Sequence, residues 1–248
     1  MNHITILIST RNAANYVKKC LDSAISQNYE NFDIIFIDAD STDNTFELAK
    51  EYESVETNVL VIKNDVRKYQ SENILIGTTM AKPESIIITL DGDDWFPHNE
   101  VLSKVNEVYT TTNCWMTYGT YVEHPHRSVS HIYKEYPLDV RTNKRFREVG
   151  WLASHLRSFR RELFLKINVE DLKDPLTGDF LSMVADLAFQ FPMLEMCGVD
   201  KSVYIPDILY VYNCENPLSE SKINQAEINR IEKIIRARTK YNTIEKLY

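Results

Sequence analysis

The stretch Ser85-Ile86-Ile87-Ile88-Thr89-Leu90-Asp91-Gly92-Asp93-Asp94 decides how this chain is read. A β-branched apolar run passes without a break into an acidic turn, with three carboxylates in four positions. A run of that kind is a strand buried on both faces, as in a parallel sheet, and the carboxyl ends of such strands are where ligands bind. Like charges about 4 Å apart repel by roughly 4 kcal/mol at an effective dielectric near 20, so carboxylates this dense call for a cation among them. Oxygen ligands suit magnesium or manganese, with diphosphate oxygens completing the shell. The structural alternative is an Asp-rich turn capping a helix that begins near His98.

Working outward, Ile4 to Ser9, Asp33 to Asp38 and Asn58 to Lys63 are runs of the same type. Between the first two, Val17, Cys20, Leu21, Ala24 and Ile25 recur at helical spacing, and after the second, Asp43 or Asn44 caps a helix carrying Phe46, Ala49 and Tyr52. Strands alternating with helices imply right-handed crossovers, so the predicted fold class is α/β, a mostly parallel central sheet flanked by helices. Ligand-type residues are then expected at three strand ends: Ser9-Thr10-Arg11-Asn12, Asp38-Ala39-Asp40-Ser41 and Asp91-Gly92-Asp93-Asp94.

Farther along, Val101, Leu102, Val105, Val108 and Tyr109 define a helix, and Trp115 to Tyr121 reads as a strand. Glu123 to Arg147 is polar and reads as a long surface segment. Order resumes over Leu156 to Ile167 and Phe180 to Cys197, followed by a strand near Ile205 to Tyr212 and a polar helix from about Asn224. Asp186 is the sole acidic residue between Asp179 and Glu195 and interrupts an apolar run. A buried carboxylate with a raised pKa suits general-base work; a helix-capping or core-paired Asp is the plainer alternative.

Composition narrows the function classes. With 248 residues, 44% hydrophobic and 26% charged, the chain is an enzyme-sized globular protein. A net charge of −8 argues against broad nucleic-acid binding, which needs clustered cations to displace counterions. No run of apolar residues is long enough for a membrane span, and the N-terminus reads as a first strand rather than a leader, so a cytoplasmic location is expected. Cys20, Cys114, Cys197 and Cys214 have no metal-type spacing and read as free thiols. His124, His126 and His131 read as a solvated loop. The polar C-terminal helix is a candidate homodimer surface.

Residues 4 to 45, from Ile-Thr-Ile-Leu-Ile-Ser-Thr-Arg-Asn to Asp-Ala-Asp-Ser-Thr-Asp-Asn-Thr, resemble the opening of family-two glycosyltransferases with the GT-A fold. The resemblance continues through Leu90-Asp91-Gly92-Asp93-Asp94-Trp95 to Ala185-Asp186 and covers roughly residues 4 to 215. It implies one domain over residues 1–248: a nucleotide-sugar-binding half at 1–97, an acceptor-binding half at 98–220 and a C-terminal helix at 221–248. The loops holding Thr10, Arg11, Asn12 and Asp38 would grip the nucleotide. Ala39 replaces a second Asp of the family, which leaves base recognition to Asp38 or Asp40. Glu72-Asn73 stands where relatives carry Arg-Asn, so Asn73 with Arg67 or Lys68 would face the donor phosphates. Asp91 or Asp93 would meet the ribose and Asp93 or Asp94 the metal, a register open by one residue that makes Asp91, Asp93 and Asp94 all candidate metal ligands, with Gly92 inside the same loop. Asp186, preceded by Ala185 where relatives have Glu, would be the general base. His155 and Arg157 stand in a basic stretch that resembles the region near acceptor and diphosphate; a solvated helix start is the alternative there. The family's late Tyr-rich strand resembles Tyr210-Val211-Tyr212-Asn213; no His metal ligand follows, which leaves Asn213 or Asn216 to stand in, or the acidic cluster and the diphosphate alone.

The function implied is metal-dependent, inverting transfer of a sugar from a nucleotide-sugar donor, a UDP-sugar by family habit, to a hydroxyl of a glycan, lipid-linked or protein acceptor. The cofactor implied is Mn2+ or Mg2+. Two other classes remain: a nucleotidyltransferase, although Ser9 to Ala13 is no Gly- and Lys-rich phosphate loop, and a catalytically silent nucleotide- or carbohydrate-binding protein.

Overall fold

Along β1 (Ile4–Thr10), Ile4, Ile6 and Ile8 pack into one apolar cluster while Leu7 joins another, the period of two that a doubly covered strand requires. The same sorting holds on β2 (Phe32–Asp38) and β4 (Ile86–Asp91): Ile34, Phe36, Ile86 and Ile88 lie on the first face, and Ile35, Ile37 and Ile87 on the second. In this computed structural model, which describes residues 1–218, 222 and 224–248, these strands form the middle of a sheet of seven.

Its order is β3-β2-β1-β4-β7-β5-β8, with β3 at Val59–Lys63, β5 at Met116–Gly119, β7 at Ser154–Arg160 and β8 at Ser202–Ile205. The first four are parallel, and β7 runs antiparallel between β4 and β5. Register levels the strand ends: Thr10 pairs with Asp38 and Ser9 with Asp91, so three loops leave the sheet along one edge. Helices α1 (Val17–Ile25) and α4 (Val101–Thr112) cover the first face with Val17, Leu21, Leu102 and Val105. On the second face lie α3 (Gln70–Met80) and the largely buried α7 (Ala185–Cys197). Further helices among the described residues include α2 (Thr45–Glu53), α5 (Leu138–Thr142), α6 (Arg161–Phe164) and α8 (Gln225–Ala237), and a small second sheet pairs β6 (Val122–His124) with β9 (Val211–Asn213).

The fold class is as expected from sequence, and several elements differ. The surface segment from Glu123 to Arg147 is anchored, since Tyr136, Val140 and Phe146 sit in the core. The strand near Ile205 to Tyr212 is two strands in two sheets. Ser154 to Arg160 is a buried central strand instead of a solvated helix start. The helix placed near His98 begins at Val101, and α7 starts at Ala185, after the apolar run has begun. The boundary drawn between residues 220 and 221 lies outside the described residues. All four cysteines are free, and His126 and His131 are exposed as read. Among the described residues no helix is long and apolar enough to cross a membrane.

Candidate active site

Loops that leave a parallel sheet at one edge create a crevice, and here it is a cavity of about 750 Å3. Its floor is the acidic turn after β4. Thr10, Arg11 and Asn12 line it from the loop after β1, Arg67 and Lys68 from the loop after β3, Gln70 from the start of α3, and His155, Arg157 and Asp186 from β7 and α7.

The first two loops are stitched together by hydrogen bonds. Asn12 N donates to Ser41 Oγ at 2.9 Å, Thr42 N to Asn12 Oδ1 at 2.9 Å, and Ala13 N to Thr45 Oγ1 at 2.8 Å. Asn12 and Asp40 take left-handed backbone conformations that asparagine and aspartate tolerate. Asn12 is thus largely a brace. Asp38 is fully buried and does not itself line the cavity, although its neighbour Ala39 does: Oδ1 accepts from Ser41 N at 2.8 Å, and Oδ2 has no hydrogen-bond partner. A buried carboxylate oxygen without a donor is costly by itself and suits a ligand N–H.

Other expected donor contacts fall elsewhere. Asn73 is fully buried with its amide committed, donating to Ser9 Oγ at 3.0 Å and accepting from Asn64 at 2.8 Å, so it braces β1 and does not face the phosphates. Asp40 does not line the cavity; its carbonyl accepts from Arg11 Nε at 3.3 Å. Gly92 is a close-approach position, since a Cβ there would lie 2.3 Å from Thr10 Cβ. Lys68 is paired with Glu72. Arg67 is exposed and lies over the Tyr69 ring, which leaves its guanidinium facing the cavity with no acid on it among the described residues.

The three carboxylates serve different purposes. Asp94, 1% exposed, accepts from Tyr210 Oη at 2.6 Å and from Asn213 N at 2.7 Å, so both oxygens are held by the protein. Asp93 lines the cavity and accepts from Asn216 Nδ2 at 2.7 Å through Oδ2. Asp91 accepts from Gln70 Nε2 at 2.6 Å. Among the described residues no three His, Cys, Asp or Glu side chains converge as a metal cage. The expected set of three aspartates is therefore not preassembled: Asp94 is taken by Tyr210 and Asn213. A divalent cation carried by one or two carboxylates, with phosphate oxygens and water filling its shell, still fits Asp93 and Asp91.

Burial pushes the Asp91 carboxyl up to about 6 against the opposing pull of Arg157, with Asp93 and Asp186 adding to the rise. Burial likewise raises Asp93 and, with repulsion from Asp93 and Asp91, holds Asp94 well above the carboxylate range.

Across the cavity, Arg157 Nη2 lies 3.2 Å from Asp186 Oδ2 and 2.8 Å from His155 Nε2. Burial and the neighbouring Arg157 push His155 well below its ordinary value, so its ring is a neutral acceptor stacked on Tyr210 at 4.1 Å. For Arg157, burial works against the charge, and Asp186 and Asp91 more than offset it. Asp186 stands in the first turn of α7, behind Val184 at φ 56, a costly conformation for a β-branched residue. Its side chain is 22% exposed and ion-paired, which corrects the expectation of a buried carboxylate in an apolar run.

Sequence reasoning gave no role to Tyr210, Gln70, Tyr121, Tyr133 or Trp151, although Tyr210 lay inside a quoted motif. Its hydroxyl also accepts from Asp91 N at 3.2 Å, which makes it the hub of the acidic turn.

The model of glycosyl transferase family 2 matches residues 5–167, well over half the chain. This protein belongs to that family. Among curated relatives of this family-2 chain, glycosyltransferase GlyA of Streptococcus pneumoniae is 30% identical over 40% of the chain and 14% of the relative. The UDP-Glc:alpha-D-GlcNAc-diphosphoundecaprenol beta-1,3-glucosyltransferase WfaP of Escherichia coli is 26% identical over 49% and 47%, respectively. Among solved structures, S. aureus TarS 1-349 in complex with UDP-GlcNAc superposes with a TM-score of 0.70 at 16% identity, covering 94% of this chain and 65% of that one. A mannosyltransferase of Pyrobaculum calidifontis in complex with GDP-Man and Mn2+ gives 0.58 at 18% identity, covering 84% and 56%. These structural likenesses establish the GT-A fold. The chain spans less than two thirds of the length of each of these relatives.

Proposed function

We propose that this family-2 chain transfers a glycosyl group from a nucleoside diphosphate sugar to an acceptor hydroxyl with inversion. The observation that carries the proposal is one cavity joining the strand-end loops, the acidic turn and Asp186. Thr10 and Arg11 would contact the nucleotide, Asp38 Oδ2 would accept the N–H of the base, and exposed Arg67 would face the phosphates. A uridine nucleotide is the favoured donor: uracil offers one imide N–H to one carboxylate, and a neighbour of this fold was solved with UDP-GlcNAc.

Asp93, with Asp91 beside it, would hold a divalent cation whose charge offsets the charge building on the departing diphosphate. Asp186 takes the acceptor proton while Arg157 fixes the carboxylate's orientation through Oδ2, and the acceptor oxygen attacks the anomeric carbon from the side opposite the leaving group. His155, neutral, accepts from the same Arg157 Nη2 that faces Asp186 and so helps to hold the guanidinium in place. The four free cysteines suit a reducing, cytosolic setting.

Incubating the chain with a panel of nucleotide sugars and Mn2+ tests the reading through nucleoside diphosphate release. One donor turned over well above the rest is expected. No release from any donor, with or without candidate acceptors, overturns it.

A further inference from the structure

On the acceptor side of the site the cavity wall is aromatic. Tyr121, Tyr133, Tyr212 and Trp151 all line the cavity, and each is partly exposed rather than packed away. Tyr121 is their centre, 5.4 Å from the Tyr133 ring, 5.1 Å from Tyr212 and 5.7 Å from His155. Trp151 is held edge-on by Phe191 at 5.1 Å.

The wall adjoins the reacting groups through His155, whose ring touches Tyr121 on one side and whose Nε2 shares the Arg157 guanidinium with Asp186. Four rings from four separate segments, left partly wet along a polar cavity, forfeit burial that they would gain by packing inward. A ligand that covers them recovers it.

The cavity's other lining cations, Arg11, Arg67 and Lys68, belong to the loops after β1 and β3, and Lys222, outside the lining, is held on the carbonyls of Cys214 and Asn216; among the described lining residues Arg157 is the cation beside the rings, and Asp186 already pairs with it. A phosphorylated or otherwise anionic acceptor would lack a counter-charge at this wall. A pyranose ring is complementary to it: one face presents C–H groups to an aromatic surface, and the hydroxyl rim is left for Asp186. An extended polyol or a serine side chain has no such face.

We infer that Tyr121, Tyr133, Tyr212 and Trp151 form an acceptor subsite for an uncharged pyranoside, so that the group receiving the sugar is itself a sugar ring. This rests on the transferase reading for its name as an acceptor site, and its test does not depend on turnover. Saturation-transfer NMR on the full chain with methyl β-D-glucopyranoside and methyl β-D-galactopyranoside is expected to mark the ring C–H protons of at least one. Ribitol and a Ser/Thr peptide should give background signal. Tyr133→Leu should weaken the glycoside contact about tenfold, the loss of one stacked ring. A change in tryptophan fluorescence on adding the same glycoside to the unsubstituted chain, lost in Trp151→Phe while Trp95 and Trp115 remain, gives a second readout. Equal signals from ribitol or peptide, or a glycoside signal that survives Tyr121→Leu and Tyr133→Leu together, overturn the subsite. Glycoside contact with no nucleotide-sugar turnover leaves the subsite standing and counts against the transferase reading alone.

Discussion

Arg157 and Asp186 meet at 3.2 Å between Nη2 and Oδ2, joining the buried central strand β7 to the first turn of α7 across the candidate site. Arg157 is 8% exposed and Asp186 22%, so the pair has one partner inside the protein and one toward the cavity. The cation orients the carboxylate through Oδ2, and Oδ1 accepts from Leu187 N at 3.0 Å, so both oxygens are positioned by the protein.

Asp186→Asn keeps the shape and removes the proton acceptor. Turnover should fall by roughly 10²–10⁴ with donor affinity unchanged, read by single-turnover kinetics and by calorimetry with the nucleoside diphosphate. Arg157→Met should lower kcat too, and should also strip His155 of its partner. Turnover that survives Asp186→Asn would remove the residue from the mechanism.

The acidic turn gives a pH prediction. Asp91 is pushed up to about 6, and Asp93 and Asp94 are raised as well, so the folded chain holds these protons more tightly than the unfolded one. The stability this contributes is fully present below the unfolded carboxylate value near 4 and is lost as pH rises through about 6. Metal binding needs the deprotonated form, so proton and metal compete. The melting-temperature gain from Mn2+ should therefore be small near pH 5 and level off above about pH 7. Asp93→Asn should erase that gain at every pH. A gain independent of pH, or one intact in Asp93→Asn, contradicts the assignment.

Gly92 allows the acidic turn to lie against the loop after β1. A Cβ there would stand 2.3 Å from Thr10 Cβ and 2.5 Å from its hydroxyl oxygen, atoms too close to their own backbone to swing away. Gly92→Ala should cost about 1–3 kcal/mol and, by moving the Thr10 loop, weaken nucleotide binding several-fold, seen by denaturant melts and calorimetry. A variant with parental stability and affinity would mean that the two loops are not coupled.

The strand ends were legible in the sequence because their signal is local: β-branched runs ending in polar residues at Thr10, Asp38 and Asp91. Helix α3 carried no such signal. Its apolar residues face several ways, and Gly77 is used for contact with Leu7, where a Cβ would approach to 2.2 Å. Strand β7 misled for the opposite reason. His155, Arg157 and Ser158 look solvated, yet all are buried because Asp186, Thr117 and Tyr109 supply partners from distant segments. Tyr210 binds Asp94 across 116 positions, a pairing that only the assembled sheet creates.

The buried ion pair behind the site yields a prediction on stability alone. Glu195 on α7 is fully buried and takes two hydrogen bonds from Arg147, at 2.6 and 2.9 Å, and one from Tyr241 N at 2.9 Å. Arg147 also donates to Ile235 O at the end of α8 at 2.6 Å, so this pair ties α7 to the C-terminal segment. Removing one partner strands a charge in the core. Glu195→Ala should cost about 3–5 kcal/mol, a drop of roughly 10 °C in melting temperature for a chain of this size. Replacing both, as Arg147→Met with Glu195→Leu, should recover most of that loss, because the desolvation of two charges disappears with them. Calorimetric melts of the single and double variants decide the matter: a double variant no more stable than Glu195→Ala would mean that the hydrogen bonds to Ile235 and Tyr241, rather than the charge pairing, hold the C-terminal segment in place.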